Sequence, residues 1–283
     1  MSDLHCTVDT LYLHPVKSCA GIAVPSAALL ETGLDLDRAW MLVDPQGEFV
    51  TQRELPQLAR VQPTLRGDEL VLRAPGMLAL HVAVDRVEQP LRVRVWDDTV
   101  PAWDLGPLAA QWFSDFAGRP LRLVRFDPEH RRQSDARWTG PHAAHTAFAD
   151  GFALLVLSSA SLAGLNQRLA QQGAAAVDLR RFRPNLVLGG LQAHDEDSIE
   201  ALEIDTPQGL VRLQLVKPCA RCTIPGVDPD SGTQGFEVID ALAGYRADPR
   251  MEGAITFGMN AIVVEGAGCE LAVGQAVRAQ IAF

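Results

Sequence analysis

A succession of short alternating segments, separated by turn residues, constrains the fold of this 283-residue chain more than any other feature. The segments ELVLR (residues 69–73) and RVRVW (residues 92–96) place Val and Leu on one face and charged side chains on the other. Turn sequences such as Arg66-Gly67-Asp68 precede or separate such segments. A period of two is typical of antiparallel sheet with one solvated face, so the pattern predicts a β-rich barrel or sandwich.

Helical patterns interrupt the strands at only a few places. PLAAQWFSDFAG, from Pro107 to Gly118, begins with a proline, ends at a glycine and carries its apolar residues on one stripe. FALLVLSSASLAGLNQRLAQQG, residues 152–173, is predicted to be a buried strand that runs into an amphipathic helix. A shorter helix is predicted near residues 236–245. The expected fold class is therefore α+β, mainly antiparallel β, with a few helices.

Residues 127–151, DPEHRRQSDARWTGPHAAHTAFADG, have neither the strand nor the helix period. They are polar and are interrupted by Pro and Gly, which predicts a long loop or linker. We place the domain boundary at its start, so that residues 1–126 form a β-rich N-terminal module and residues 127–283 form a second domain.

Charge and hydropathy exclude two classes of partner. The formal net charge of −10 argues against nucleic acid, because binding a phosphate backbone needs a basic face. The amino-terminal sequence lacks the basic and apolar regions of a signal peptide, and no run reaches the roughly 18 apolar residues of a membrane span. We therefore expect a cytoplasmic protein without a membrane partner.

The five cysteines are odd in number and irregularly spaced, so we expect reduced thiols instead of a disulfide framework. Two of them lie three residues apart in KPCARC, at Cys219 and Cys222. A structural zinc site would need two such pairs, or histidines at ligand spacing. A redox dithiol would need a helix after the first cysteine, whereas TIPGVDPDSG has the composition of a loop.

The remaining interpretation is one working thiolate at Cys219, at the end of strand VRLQLVK and beside the charges of Lys217 and Arg221. The alternative is that both cysteines are small buried apolar residues, as most intracellular cysteines are, and for Cys222 we favour it. The turn DPDSG resembles the start of a calcium loop but lacks its later acidic ligands, which favours a tight turn.

Basic residues cluster at predicted strand ends. The chain has only two lysines, Lys17 and Lys217, and each precedes a cysteine by two positions. Lys17 and Ser18 follow a strand, Arg183 and Asn185 precede one, and backbone N–H groups near Ser158 begin a helix. Such groups can form a phosphate cradle, although each alone is more often a solvated surface feature.

Six motifs in order resemble the MOSC family together with its N-terminal β-barrel module, over nearly the whole chain. They are LHPVKSCAG (13–21), LDRAWMLVD (36–44), TQRELPQLA (51–59), FADGFALLVLSSASLAGLN (148–166), RFRPNLVL (181–188) and KPCARCTIPGVDPDSG (217–232). The similarity is greatest to the amidoxime-reducing molybdenum enzymes. The resemblance implies a MOSC β-barrel core and a molybdenum–pterin cofactor (Moco) between the two modules.

The resemblance also implies roles for individual residues. Cys219 would be the protein ligand of molybdenum, which agrees with its selection from the sequence, since a soft thiolate suits that metal. Asp228 is a candidate for relaying protons or orienting substrate, although an acidic turn residue is the commoner role. Contacts to the pterin or its phosphate are implied for Lys17, Ser18, Arg38, Arg53, Ser158, Arg183 and Asn185.

The activity implied is two-electron reduction of N-hydroxylated or N-oxygenated small molecules by a molybdenum oxidoreductase. The chain lacks the C-x₄-C-x₂-C spacing of a fused iron–sulfur domain, so a separate electron-donor protein or reductase is expected. The alternative is a cofactor-binding or sulfur-carrier protein that holds a persulfide on Cys219, and a third possibility is an interaction module without chemistry. The family as a whole is also associated with pyridoxal phosphate binding.

Overall fold

The computed structural model of the chain describes residues 3–281. The strands of the first half are β1 (Asp3–Leu13), β2 (Ile22–Val24), β3 (Ser26–Leu30), β4 (Gly33–Leu34), β5 (Trp40–Val43), β6 (Gln62–Arg66), β7 (Glu69–Arg73), β8 (Leu80–Ala83), β9 (Gln89–Val95), β10 (Asp98–Asp104) and β11 (Arg122–Phe126). The later strands are β12 (Arg132–Gln133), β13 (His145–Thr146), β14 (Leu154–Ser158), β15 (Leu186–Gly189), β16 (Ile199–Thr206), β17 (Gly209–Ala220), β18 (Ala247–Asp248), β19 (Ala254–Glu265), β20 (Glu270–Ala272) and β21 (Ala276–Ile281). The α-helices are α1 (Pro107–Ala117), α2 (Ala136–Thr139), α3 (Ser159–Gln171) and α4 (Glu237–Ala243).

Seven strands close into a barrel in the order β14-β15-β1-β21-β16-β17-β19, and β19 pairs with β14 to complete the ring. All neighbours are antiparallel except β14 and β15, which run parallel because α3 connects them as a crossover. Closure leaves no strand edge unpaired within the ring, and Leu, Ile, Val and Ala side chains fill its interior. The predicted fold class, mainly antiparallel β with a barrel core, is confirmed.

The first strand of the chain belongs to this barrel. β1 pairs with β21 through Asp3–Thr7 and with β15 through Thr7–Leu11, so it lies between two strands from the other end of the sequence. β2 pairs with β1 beside the barrel, and the other strands of the first half form smaller antiparallel sheets, joined in one case by β20, of which β5-β11-β10-β9 is the largest. The barrel therefore includes a segment from each predicted domain.

The helix predicted from Pro107 to Gly118 is confirmed as α1. Gly118 ends it with φ of +70° and donates its N–H to the Ser114 carbonyl, a left-handed cap that glycine adopts without strain. Trp112 and Phe113 bury the apolar stripe against the N-terminal sheets. None of the helices formed by residues 3–281 has the length and apolarity that crossing a membrane requires.

Residues 127–151, predicted to be a loop, contain ordered elements. β12 pairs with β13, and the four-residue helix α2 lies between them, with the Asp135 side chain accepting a hydrogen bond from the Arg137 N–H at its start. Elements of two to four residues are too short to display a period, which is why the sequence pattern did not reveal them.

Candidate functional site

A cavity of about 420 Å³ opens where the barrel meets the N-terminal sheets. Its volume is in the range of small-molecule sites. Two carboxylates, those of Asp97 and Asp150, face six cationic side chains, so the cavity is positively charged in a chain whose net charge is −10. The cationic side chains are those of Lys17, Arg38, Arg53, Arg183, Lys217 and Arg221. This local excess of positive charge favours an anionic ligand.

Two irregularities in the β17–β19 ladder bring Cys219 to the cavity. The pairing register shifts between Leu215 and Lys217 and again between Pro218 and Ala220. Gly258 of β19 lies at the second shift with φ of +81°, and a side chain there would contact the Val156 carbonyl at 2.8 Å. β-Bulges redirect side chains, and these turn the end of β17 toward the cavity.

Arg221 fixes the Cys219 sulfur. Its Nη1 is 3.0 Å from Cys219 Sγ, and its Nη2 donates to the Phe182 carbonyl at 2.8 Å. Cys219 is half-buried, whereas Cys222 is exposed and also lines the cavity. The interpretation of Cys222 as a buried apolar residue is therefore wrong, because the chain leaves β17 before reaching it.

Arg38, Asn185 and Arg183 form a hydrogen-bonded group on the cavity wall. Arg38 donates from Nη1 to Asn185 Oδ1 at 2.9 Å and from Nη2 to the Arg183 carbonyl at 2.9 Å. Burial, and secondly the Arg38 charge, lower the pKa of Arg183 to about 10. Arg183 Nη1 donates to the Cys19 carbonyl, but its buried Nη2 has no partner among the described residues. An unpaired buried donor of this kind fits an acceptor on a bound ligand.

Lys17 and Asp150 form an ion pair at the cavity. Lys17 Nζ lies 2.5 Å from Asp150 Oδ1 and donates to the Phe148 carbonyl at 2.8 Å. The Lys17 side chain is 8% exposed, whereas that of Asp150 is 64% exposed. Burial lowers the pKa of Lys17, and the Asp150 charge opposes that effect. Although surrounding protein raises the pKa of Asp150, the Lys17 charge and hydrogen bond outweigh it and hold that carboxyl ionised.

Arg53 reaches the cavity beside two aromatic rings. Its guanidinium carbon is 4.6 Å from the Trp96 ring centroid and 5.8 Å from that of Phe49, within cation–π range. Ser18 completes the predicted set and is buried, with its carbonyl accepting from Gln52 Nε2.

Backbone strain is concentrated at this cavity. Seven non-glycine residues in the described chain have positive φ, and four of them line the cavity. They are Ser18 (+69°), Arg38 (+48°), Trp96 (+57°) and Arg183 (+57°). Such conformations cost of order 1–3 kcal/mol each and cluster where function requires them.

Seven of the nine predicted site residues line the cavity, and Ser158 and Asp228 do not. Ser158 caps α3, where its Oγ accepts from the Ser161 N–H at 3.0 Å, and it is completely buried. Asp228 Oδ1 accepts from the backbone N–H groups of Asp230 and Ser231, and its Oδ2 accepts from Arg181. In this structure Ser158 thus caps a helix and Asp228 orders a turn, and the cofactor and proton-relay roles stay predictions.

The sequence analysis did not single out several cavity residues, among them Trp96, Asp97 and Asp150. Asp150 lies in the FADG motif, but inside the stretch interpreted as a loop. Trp96 and Asp97 form the turn between β9 and β10, whereas the alternating pattern placed Trp96 in the strand RVRVW, and the signal in the sequence was a tryptophan followed by two aspartates. An exposed aromatic residue in a hairpin turn is unusual enough to have indicated the site.

Family comparisons divide the chain into two matched regions. Residues 5–120 match the model of the MOSC N-terminal beta barrel domain, and residues 143–278 match the model of the MOSC domain. Both regions contribute residues to the cavity.

Individual proteins resemble the chain over most of its length. Human mitochondrial amidoxime-reducing component 1 is 35% identical over 260 residues, which cover 86% of this chain and 73% of the human protein. Bovine mitochondrial amidoxime reducing component 2 is 35% identical over 254 residues, with the same coverage. Bovine molybdenum cofactor sulfurase is 27% identical over 290 residues, which cover 95% of this chain and 32% of the sulfurase.

Proposed function

Because this chain belongs to the MOSC family and carries both its N-terminal β-barrel domain and its MOSC domain, we propose that it binds a molybdenum–pterin cofactor and reduces N-oxygenated small molecules. The observation that carries the proposal is the Cys219 thiol in a cavity lined by six cationic side chains. The names of the 35% identical relatives supply the class of substrate, that of amidoximes.

The residues of the cavity fit this cofactor. A thiolate at Cys219 is a soft ligand of the kind that molybdenum accepts. The unpartnered Nη2 of Arg183 and the guanidinium of Arg53 are donors available to a phosphate group. Lys17, Ser18, Arg38 and Asn185 would complete the enclosure, with Arg38 held in place by Asn185.

The cofactor would supply two-electron reduction with removal of an oxygen atom, and the protein would position the reactants. Reduction of an N-hydroxylated compound consumes two electrons and two protons and releases the oxygen as water. Arg221 keeps the Cys219 sulfur oriented toward the cavity through its 3.0 Å contact. Lys17 Nζ is a candidate proton donor, because burial lowers its pKa and so weakens its hold on a proton.

Electrons would come from a separate donor protein or reductase. The names of the relatives describe them as components, which supports this part of the proposal. The cytoplasmic location, the lack of a membrane partner and the division of the chain at residue 127 stay predictions. The family-level association with pyridoxal phosphate also stays a prediction.

Molybdenum per chain, measured by elemental mass spectrometry, tests the proposal. Wild-type protein expressed with molybdate in a cofactor-producing host should contain close to one metal per chain, and Cys219→Ala should lose it. Cys269→Ala, a buried cysteine remote from the cavity lining, is the matched control and should retain the metal. Fully loaded protein that fails to reduce benzamidoxime with a chemical reductant would exclude the reductase activity.

A second candidate function is sulfur carriage, with a persulfide on Cys219. The similarity to molybdenum cofactor sulfurase over 95% of the chain favours it, as does the half-buried sulfur beside Arg221. Intact mass of unreduced protein would then show an addition of one sulfur atom, about 32 Da, absent from Cys219→Ala. If the protein contains no molybdenum but shows this added mass, the sulfur-carrier function is favoured over the reductase function.

A further inference from the structure

Trp96 and Asp97 form a wall of the cavity that the proposed chemistry does not use. They occupy the turn between β9 and β10, and here we call them the turn wall. Trp96 has φ of +57° and is 43% exposed. A bulky residue in the left-handed region is strained, and an exposed indole gains little from burial. Strained backbone of this kind clusters at functional sites, so the placement of this indole calls for a functional reason.

The turn wall contacts Asp150 and Arg53, which also line the cavity. Trp96 Nε1 donates to Asp150 Oδ1 at 3.2 Å, and the Arg53 guanidinium lies 4.6 Å from the indole centroid. Asp98, the first residue of β10 after the turn, accepts from Arg132 Nε at 2.7 Å. These contacts fix the indole before any ligand arrives, which reduces the entropy cost of binding.

Arg132 extends this support to the segment that carries Asp150. Its side chain is 5% exposed, and Nη1 donates to the carbonyls of Ala147 and Ala149 at 3.0 and 2.6 Å. Nη2 donates to the Asp150 carbonyl at 3.2 Å. One buried guanidinium therefore joins the hairpin turn to residues 147–150, and the turn wall and Asp150 have a defined spacing.

The free groups of this region define the ligand that it fits. Asp97 is exposed and makes no hydrogen bond or ion pair with another residue in the range 3–281. Asp150 uses Oδ1 for Lys17 and Trp96, which leaves Oδ2 available. An indole provides a planar apolar face, and a carboxylate accepts hydrogen bonds most strongly from charged N–H donors.

We propose that the turn wall binds the substrate, its planar aromatic group against Trp96 and its N–H donors toward Asp97, and so selects compounds that combine an aromatic group with a nitrogen group rich in N–H donors. This specificity rests on the proposed function for the reaction, but the binding itself does not require turnover. The N-terminal module would then determine which substrates the Cys219 centre receives.

Calorimetric titration with three non-reacting probes tests the proposal on the full-length protein. Benzamidine has the aromatic ring and the cationic nitrogen group, acetamidine lacks the ring, and benzamide lacks the charge. Trp96→Ala should weaken benzamidine binding by about three- to tenfold, the range of one aromatic contact, and leave acetamidine unchanged. Trp96→Phe, which keeps an aromatic ring, should recover most of the affinity.

Asp97→Asn separates the contribution of charge. It should weaken benzamidine binding and leave benzamide binding unchanged. Trp103→Phe, in β10 of the same hairpin but outside the cavity lining, is the matched control and should bind like wild type. Benzamidine affinity that stays unchanged in both Trp96→Ala and Asp97→Asn would overturn the proposal.

Kinetics on molybdenum-loaded protein distinguish this proposal from the proposed function. Trp96→Ala should raise KM for benzamidoxime and leave KM for acetamidoxime unchanged. Loaded protein that reduces neither compound, yet binds benzamidine through Trp96, would refute the reductase and retain the turn wall. If both compounds are reduced and each has the same KM in Trp96→Ala as in wild type, the reductase is retained and the turn-wall proposal is refuted.

Discussion

His14 is a completely buried residue behind the cationic wall of the cavity. Its Nε2 donates to the Pro184 carbonyl at 3.0 Å, whereas Nδ1 has no partner among the described residues. Gly21 packs on the ring so closely that a side chain at that position would lie 2.5 Å from His14 Cε1. Burial, followed by the charges of Arg38 and Arg183, holds the pKa of His14 well below 6.5.

The lowered pKa of His14 predicts a pH dependence of stability. The unfolded chain binds a proton at this residue below about pH 6.5, whereas the folded chain does not, so the free energy of unfolding falls as the pH falls from 7 toward 5.5. The contribution of one such group is at most about 1.4 kcal/mol per pH unit. Measured by urea unfolding at several pH values, the free energy of unfolding of His14→Gln should depend less steeply on pH than that of wild type. The control His142→Gln, in a loop, should keep the wild-type pH dependence. Equal slopes in all three would contradict the assignment.

At the scale of secondary-structure elements, Ser158 is the N-cap residue of α3. The resemblance implied a cofactor contact, whereas its Oγ accepts from the Ser161 N–H and its N–H donates to Glu196 Oε1 at 3.1 Å. Burial raises the pKa of Glu196, although hydrogen bonds from Ser161 and Ser158 to this carboxyl group oppose the change. Ser158 therefore joins β14, α3 and the buried Glu196 carboxyl group, and neither Ser158 nor Glu196 lines the cavity.

Ser158→Ala should lower the free energy of unfolding by about 1 kcal/mol, the usual cost of losing an N-cap. Molybdenum content per chain should stay at the wild-type level, because the side chain does not reach the cavity. Urea unfolding and elemental mass spectrometry on the same preparation measure both quantities, with Cys219→Ala as the reference for metal loss. If Ser158→Ala loses metal but keeps its free energy of unfolding, the result would support a contact between Ser158 and the cofactor.

At the scale of the whole molecule, the barrel depends on a strand from the far end of the chain. β1 lies between β15 and β21, and without it both strands would present unpaired backbone groups. A fragment of residues 127–283 should therefore show no cooperative thermal unfolding by circular dichroism and should aggregate. The same fragment with residues 1–13 attached through a flexible linker should recover a cooperative transition. Cooperative unfolding of the bare fragment would show that the second domain folds by itself.

Several elements and one site residue of this protein could be predicted from interactions between residues that are close in the sequence. The alternation of 69–73 and the Pro107 and Gly118 punctuation depend on side chains a few residues apart, so the strand β7 and the helix α1 followed directly. The selection of Cys219 likewise depended on its immediate neighbours Lys217 and Arg221. Patterns of this range need no knowledge of the fold, because propensity, capping and turn chemistry act within one or two turns of chain.

Only the tertiary structure decided which residues share the cavity. Lys17 meets Asp150 and Arg38 meets Asn185 across 133 and 147 positions of sequence, and closure of the barrel brings them together. Ser158 and Asp228 have side chains suited to a cofactor site, but strand direction and turn geometry place both outside the cavity lining. Trp96 could be identified as a cavity residue only from the tertiary structure, which places the hairpin turn beside residues 147–150. Contacts of this kind are set by the packing of whole sheets, and no local pattern in the chain encodes them.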